Sequence, residues 1–208
     1  MRFGILGGTF NPIHIGHLLL AETARDALAL DRVLFIPARQ PPHKSAKGLL
    51  PGPVRYEMVQ LAIQNNPAFV ASDIELQRDD VSYSLETVQI LSKQLPSAKL
   101  FLLIGQDMLS VRWKGWEEIT SLCTLVVAHR PGASAPPARR SPSPPAPAIV
   151  RVGPGGRARR QKGLKWLPMP QVEIASSDIR ARVKAGRSIR YLVPSAVERY
   201  IRERQLYQ

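Results

Sequence analysis

Short apolar runs alternate along the chain with segments in which apolar residues recur every three or four positions. The runs are rich in Leu, Ile, Val and Phe and predict four buried strands, over Arg2–Leu6, Arg32–Ile36, Lys99–Ile104 and Leu122–His129. The helical spacing predicts three helices between them, over Ile15–Leu30, Val54–Asn65 and Ser84–Leu95. Strands that alternate with helices are typical of a parallel sheet with crossover helices, so we expect a doubly wound α/β fold.

The C-terminal part of the chain adds one predicted strand and two predicted helices. Leu164–Leu167 is a short apolar run, and Ser177–Ala185 has a serine cap at its start and Gly186 just beyond its end. A proline stands at the start of a last predicted helix, Ser195–Arg204. We therefore expect residues 1–208 to form one domain, with a Rossmann-like parallel sheet, flanking helices and a small C-terminal helical part.

The composition is that of an ordinary globular domain, since 44% of the 208 residues are hydrophobic and 22% are charged. This excludes a wholly disordered or collagen-like chain. No apolar run approaches the ~20 residues of a membrane-spanning helix, and the first apolar stretch is too short for the core of a signal peptide. The single cysteine, Cys123, cannot form an internal disulfide or a cysteine-based zinc site. We therefore expect a cytoplasmic protein with no membrane partner.

The excess of basic residues is concentrated in one stretch. The chain has 29 Lys and Arg against 16 Asp and Glu, a net charge of +13, but nine of the basic residues and no acidic one lie between Ile119 and Val172. Seven prolines fall within residues 131–147, which excludes a helix or a central strand there. We expect a disordered Pro/Arg-rich insertion at about 131–163. We do not expect nucleic acid as a partner, because the insertion lacks aromatic residues for stacking. The alternative from another class is a nucleic-acid-associated protein that uses this insertion.

The most informative segment follows the first predicted strand and leads into the first predicted helix. Gly7 and Gly8 allow a ligand to approach the backbone closely and leave N–H groups that can point at phosphate oxygens. The start of the helix behind them favours an anion. His14 and His17 are three residues apart, so they share one face of the first helical turn, and Gly16 between them keeps the approach open. The segment therefore predicts a phosphate-binding site.

Two other interpretations of these residues stay open. Paired glycines after a strand are common in ordinary turns, and the two histidines would then be structural. A zinc pair is the other alternative, although two histidines three residues apart, without a nearby Glu, Cys or third His, lack a full ligand set. We predict no metal site formed by protein residues.

Residues 7–17, GGTFNPIHIGH, resemble the GG(T/S)F(D/N)PxHxGH signature of the HxGH nucleotidylyltransferases and, more narrowly, of bacterial nicotinate-nucleotide adenylyltransferases. Further segments are similar to motifs of that family: PPHK (41–44), RYEM (55–58), SYSLET (82–87), IGQD (104–107) with Trp113, and IASSDIR (174–180). The likeness extends to the C-terminal residues YLVP (191–194) and LY (206–207). It spans almost the whole chain outside the insertion, so we expect a single nucleotidylyltransferase domain.

The resemblance implies transfer of the AMP part of ATP to nicotinate mononucleotide, which gives deamido-NAD and pyrophosphate. The nucleophile is a phosphate oxygen that is already ionised at neutral pH, so the reaction requires in-line positioning and charge neutralisation rather than a general base. By this resemblance His14 and His17 contact the ATP phosphates and stabilise the transition state. Arg180 is expected to hold the β- and γ-phosphates, and Lys44 completes the predicted catalytic set.

The same resemblance assigns binding residues for the two substrates. The residues expected to bind ATP are Gly7, Gly8, Thr9, Phe10, Gly16, Gly105, Asp107, Ser176, Ser177 and Ile179. The residues expected to bind the mononucleotide are Lys44, Ser84, Thr87 and Trp113. Trp113 is expected to stack on the pyridine ring, and packing in the core is its alternative role. Mg²⁺ is expected to enter with ATP and to bind mainly to its phosphates.

The sequence departs from the family pattern at several positions. Asn11 and Glu86 each replace an Asp, Ser177 replaces a Thr, and Gln106 replaces a small residue in the nucleotide pocket. Three alternatives therefore stay open: an enzyme for nicotinamide mononucleotide, an enzyme for another small acceptor such as phosphopantetheine, and a nucleotide sensor without activity. The sequence also leaves the oligomeric state open, and a homo-oligomer is among the states it allows.

Overall fold

The structure of the protein is a computed structural model that describes residues 1–41, 48–111, 113–129, 164–169 and 172–208. The predicted insertion at about 131–163 and the predicted catalytic residue Lys44 lie outside these residues. The side chain of Asp107, another predicted site residue, is likewise outside the described part of the chain. What the sequence indicates for them stays a prediction.

A parallel sheet forms the centre of the described part of the chain. Its strands are β1 (Arg2–Gly8), β2 (Arg32–Pro37), β3 (Phe69–Ala71), β4 (Lys99–Gly105), β5 (Thr124–His129) and β6 (Leu164–Pro168). They lie side by side in the order β3-β2-β1-β4-β5-β6, and every neighbouring pair is parallel. The order reverses between β1 and β4, and open α/β sheets bind ligands in the crevice outside the carboxyl ends of such neighbours.

The helices of the described chain lie on both faces of this sheet. They are α1 (Ile15–Leu28), α2 (Gly52–Ile63), α3 (Ser84–Gln94), α4 (Trp116–Leu122), α5 (Ser176–Lys184) and α6 (Ser195–Glu203), with a short 3₁₀ helix at Gln106–Ser110. The predicted doubly wound, Rossmann-like α/β fold is confirmed. Among the described residues, no helix has the length and apolar character needed to cross a bilayer.

The core consists of one apolar layer on each face of the sheet. Leu6 and Phe35 belong to the layer that also contains residues of α1, α2 and α6. Ile5 and Ile36 belong to the opposite layer, which contains residues of α3 and α4. Successive strand residues point to opposite faces, so a strand covered on both sides must be apolar throughout. This is why β1, β2 and β4 are continuous apolar runs in the sequence. Packing on both faces also holds in place the ends of the strands that carry the site.

Three short elements, β3, α4 and the 3₁₀ helix, were not predicted, and several predicted boundaries differ from the observed ones by one or two residues. The strand β3 has only three residues, which is too short for a periodicity to appear, although Phe69 is buried and pairs with Val33. The seven-residue α4 was missed for the same reason. The predicted strand Leu122–His129 begins two residues too early, because Leu122 still belongs to α4 and Cys123 ends that helix.

Candidate active site

The glycine turn lies at the carboxyl end of β1. A Cβ atom placed on Gly7 would have no heavy atom within 4 Å, and the residue is exposed, so the backbone here is open to a ligand. Gly8 has a different role, since its Cβ would lie 3.0 Å from the Phe10 ring. Phe10 is 1% exposed and adopts φ 46°, a left-handed conformation that is uncommon outside glycine. The turn is therefore packed underneath and open above Gly7.

The two histidines lie together at the start of α1. His14 is the residue that caps the helix, and its ring stacks on that of His17 with the centroids 3.7 Å apart and an interplanar angle of 30°. The His14 N–H donates to Nδ1 of His17 at 3.2 Å, and the edge of the Phe10 ring contacts the His17 ring at 5.0 Å. An Nδ1 that accepts a hydrogen bond leaves Nε2 as the donor nitrogen of the neutral imidazole. The predicted pair of imidazoles on one helical turn is present.

Gly16 makes this histidine arrangement sterically acceptable. A Cβ atom at position 16 would lie 3.1 Å from Nδ1 and 3.2 Å from Cε1 of His14. Those distances are shorter than ordinary van der Waals contact, so any larger residue would displace the His14 ring. Gly16 therefore contributes to the site by leaving room for the His14 imidazole in its observed position.

Arg55 holds the turn from inside the protein, and the sequence motif that contains it did not reveal this role. Its side chain is 1% exposed and donates three hydrogen bonds to backbone carbonyls, to Thr9 at 2.7 Å, Leu50 at 2.9 Å and Arg39 at 3.3 Å. Burial lowers the pKa of Arg55 from its usual value. The available signal was an arginine on the face of α2 whose other buried members, Met58 among them, are apolar.

The start of α5 contacts the same loop from the C-terminal part of the chain. The Ser176 hydroxyl donates to the Pro12 carbonyl at 2.9 Å, and Nη1 of Arg180 donates to the Asn11 carbonyl at 2.8 Å. The structure therefore brings Arg180 and Ser176 to the loop that carries His14 and His17. The Ser176 hydroxyl, however, donates its proton to the loop and anchors it, and does not direct that proton to a ligand.

The two remaining predicted residues of α5 differ in accessibility. Ser177 is exposed, and its hydroxyl lies 3.4 Å from Oδ1 of Asp178. Ile179 is fully buried in the core, and its N–H donates to the Ala175 carbonyl at 3.2 Å. In this arrangement Ser177 is accessible to a ligand, whereas Ile179 is a packing residue and not the predicted ATP contact.

The carboxyl end of β4 lies next to that of β1 and carries further predicted residues. Gly105 ends β4 and precedes the 3₁₀ helix that contains Asp107. Trp113 is half-buried, donates its indole N–H to the Met108 carbonyl at 2.8 Å, and meets Trp116 edge to face at 5.9 Å. The indole is thus fixed in orientation at the edge of the core, an arrangement that both predicted roles of Trp113 require.

Thr87 corrects one prediction for the mononucleotide site. Ser84 is the first residue of α3 and is only partly buried. Thr87, one turn further on, is 2% exposed, and its hydroxyl donates to Oε1 of Glu75 at 2.6 Å. Arg78 donates to the same hydroxyl at 3.3 Å. A hydroxyl held in this way is not accessible to a mononucleotide, so Thr87 stabilises the turn that leads into α3.

We expect the buried Glu75 to make stability dependent on pH. Burial raises its pKa above the usual range, while hydrogen bonds from Thr87 and Ser82 and the charge of Arg78 act in the opposite direction. A carboxyl with a pKa raised by folding stabilises the fold most below its unfolded pKa of about 4.3, and that stability is lost as the pH rises through the folded pKa. Glu75→Gln should therefore make the free energy of unfolding less dependent on pH, as measured by urea unfolding at a series of pH values. Equal pH slopes in the two proteins would contradict this.

The geometry as a whole suits an anionic ligand. An exposed glycine backbone and two imidazoles at a helix start lie within the segment that follows β1, and the guanidinium of Arg180 bonds to the same segment. Among residues 1–41, 48–111, 113–129, 164–169 and 172–208, no group of three His, Cys, Asp or Glu lies together in a way that would hold a metal ion. The open glycine backbone, the two imidazoles and the guanidinium are typical of an α/β protein that binds phosphates.

A family model confirms that class. The model described as cytidylyltransferase-like matches residues 5–182, which include the glycine turn, both histidines and Arg180. The chain belongs to the cytidylyltransferase-like family and, within it, to the nicotinate-nucleotide adenylyltransferases, as the following relatives show.

The relatives match over the whole chain. A protein of Geobacter sulfurreducens with the name "probable nicotinate-nucleotide adenylyltransferase" is 45% identical over 100% of this chain and 98% of its own length. A protein of Geotalea daltonii with the same name is 46% identical over the same shares. Among solved structures, Plasmodium falciparum nicotinic acid mononucleotide adenylyltransferase complexed with NaAD has a TM-score of 0.73 at 15% identity, covering 99% of this chain and 97% of that one. The structural likeness confirms the fold.

Proposed function

We propose that the protein is a nicotinate-nucleotide adenylyltransferase, which joins nicotinate mononucleotide to the AMP part of ATP and releases pyrophosphate in NAD biosynthesis. The observation that carries this proposal is the exposed turn at Gly7 with the stacked His14 and His17 behind it, in a chain 45% identical over its full length to a relative of that name. An ATP-dependent nucleotidyltransferase needs this kind of phosphate site and no covalent nucleophile.

The reaction balances without a proton acceptor in the protein. A phosphate oxygen of the mononucleotide forms a bond to the α-phosphorus of ATP, while the bond from that phosphorus to the α,β-bridging oxygen breaks. Pyrophosphate departs with the electron pair. Because the attacking oxygen is already ionised, the protein contributes alignment of the two phosphates and stabilisation of the negative charge that develops on them.

We assign the charge stabilisation to His14, His17 and Arg180. His17 has an Nε2 donor and stacks on the His14 ring at the start of α1, and we propose that this pair and the open backbone of Gly7 bind the α-phosphate. Arg180 has five N–H donors, and its bond to the Asn11 carbonyl holds the side chain through one of them, so we propose that the others donate to phosphate oxygens. Ser177 and the other N-terminal residues of α5 add donors at a helix start.

The remaining roles rest on the resemblance. Mg²⁺ would arrive with ATP and neutralise part of the triphosphate charge. Lys44 and Asp107 are proposed as phosphate and ribose contacts, respectively. Ser84 and Trp113 lie at the start of α3 and beside the 3₁₀ helix, and we propose that they face the mononucleotide.

A pyrophosphate-release assay with ATP and a panel of acceptors tests the proposed function. We expect turnover with nicotinate mononucleotide and much weaker turnover with nicotinamide mononucleotide and phosphopantetheine. A marked preference for the amide would overturn the assignment of the acid as substrate, and no release with any mononucleotide would support a nucleotide sensor without activity.

Gly7→Ala and Gly16→Ala form a matched pair of one-methyl changes in the phosphate site. The Gly7 methyl would enter open space, so we expect unchanged stability but a KM for ATP raised about tenfold, because the methyl occupies the volume assigned to phosphate. The Gly16 methyl would displace the His14 ring, so we expect it to lower kcat instead. Steady-state kinetics and thermal unfolding separate these outcomes. A normal KM for ATP in Gly7→Ala would show that the nucleotide does not bind at this turn.

A further inference from the structure

Tyr207 links the C-terminal end of the described chain to the phosphate-binding loop. After α6 the chain turns back, with the Leu206 N–H bonded to the Ile201 carbonyl at 3.0 Å and Tyr207 in a left-handed conformation at φ 67°. The Tyr207 hydroxyl then donates to Oδ1 of Asn11 at 2.9 Å, across 196 positions of sequence. The packing of Leu206 and Tyr207 against the core holds this turn in place.

Asn11 is the point at which the loop is held. Its side chain is 4% exposed, and Nδ2 donates to the Gly48 carbonyl at 2.9 Å. Oδ1 accepts from Tyr207 and, at 3.4 Å, from the Leu50 N–H. The backbone carbonyl of Asn11 accepts the bond from Arg180. A shift of Asn11 would therefore move the guanidinium assigned to the β- and γ-phosphates together with the loop that carries both histidines.

The Tyr207 hydroxyl is fixed as a donor. Burial raises the pKa of Tyr207 well above its usual value, although the neighbouring charges of Arg180 and Arg55 act in the opposite direction. The phenol therefore stays protonated at neutral pH, and its proton is directed to the amide oxygen. Together with the bond from Nδ2 to the Gly48 carbonyl it orients the Asn11 amide, because an amide that turned over would set its oxygen against a carbonyl that cannot donate.

We propose that Tyr207 is a positioning residue for ATP, which acts through Asn11 to place the loop Gly7–His14 and Arg180. The inference rests on the proposed function for the identity of the nucleotide. It adds a residue from the last turn of the chain to a site otherwise assigned to α1, α5 and the loop between β1 and α1. No direct contact between Tyr207 and substrate is required.

The test compares Tyr207→Phe with Tyr200→Phe. Tyr200 also donates a hydroxyl hydrogen bond, to Oε2 of Glu57 at 2.6 Å, but this bond joins α6 to α2 and involves no residue of the loop Gly7–His14. We expect both variants to lose similar thermal stability. Only Tyr207→Phe should weaken ATP binding, by about three- to tenfold in calorimetry and in KM for ATP, while its KM for the mononucleotide stays within about twofold.

A double variant establishes that Tyr207 acts through Asn11. If it does, Asn11→Ala/Tyr207→Phe should bind ATP no more weakly than Asn11→Ala alone. Asn11→Ala also removes the hydrogen bond between Tyr207 and Asn11, by deleting its acceptor. Its ATP affinity therefore tests the same bond if Tyr207→Phe fails to fold. Equal ATP affinities of Tyr207→Phe and Tyr200→Phe, or additive losses in the double variant, would overturn the proposal. Because ATP binding is measured without turnover, a failure of the adenylyltransferase assignment leaves this test intact.

Discussion

Replacing His17 with alanine should reduce the rate of pyrophosphate release about 10²–10³-fold, which is the usual effect of removing one preorganised donor from a site that stabilises developing charge. The loss should appear mainly in kcat, because the charge on the α-phosphate and the departing pyrophosphate is greatest in the transition state. Single-turnover kinetics at saturating ATP and mononucleotide measure it directly.

His17→Asn is the matched control for this substitution. Nδ1 of His17 accepts the hydrogen bond from the His14 N–H, so alanine also removes part of the helix cap. The asparagine amide oxygen occupies a similar position and can retain that bond, whereas the Nε2 donor is lost. We expect His17→Asn to unfold at nearly the wild-type temperature and still to be slow. Near-normal rates in both variants would remove His17 from the catalytic set.

Arg55→Met should lower the free energy of unfolding by about 3 kcal/mol, because three backbone carbonyls would lose the hydrogen bonds donated by a buried side chain. The methionine fills similar space and removes the cost of burying a cation, which keeps the loss below the sum of three separate bonds. Since one of the released carbonyls is that of Thr9, we also expect weaker ATP binding. Urea unfolding and calorimetry measure the two effects.

Two further variants show whether the fork geometry of Arg55 matters. Arg55→Lys keeps the charge but cannot reach three carbonyls with one ammonium group, so we expect it to be nearly as unstable as Arg55→Met. Arg32→Met removes an exposed bond to a single carbonyl, that of Pro67 at 3.1 Å, and should change stability by less than about 0.5 kcal/mol. A stable Arg55→Lys would show that charge alone holds the turn.

The fold was predictable because its strands are covered on both faces. A strand such as β4, with five consecutive buried residues, must be apolar along its length, and this pattern is visible without any structure. The three-residue β3 and the seven-residue α4 give no such pattern, and their positions depend on pairing with β2 and packing against α3.

The candidate site divides in the same way between local and distant information. The glycine turn and the histidine pair lie within residues 7–17, so their spacing could be read directly. Arg55 and Tyr207 contact this loop from 46 and 196 positions away, through hydrogen bonds to a carbonyl and an amide. Such bonds do not restrict the types of the neighbouring residues in sequence, so no local pattern predicts them.

Thr87 illustrates a limit of motif-based assignment. A threonine in a segment similar to a family motif is equally consistent with a hydroxyl for substrate and one for the protein interior. The distinction lies in Glu75, whose buried carboxyl accepts the hydrogen bond at 2.6 Å. The motif preserves the residue type, whereas the structure identifies what the hydroxyl contacts.

The hydrogen bonds of Ser176, Arg180 and Tyr207 to the loop near Asn11 also have a consequence for biosynthesis. A ribosome produces the chain from its amino terminus, so both histidines emerge long before the groups that hold them. During synthesis, therefore, the loop near Asn11 stays without these three hydrogen bonds until Ser176, Arg180 and Tyr207 have left the ribosome.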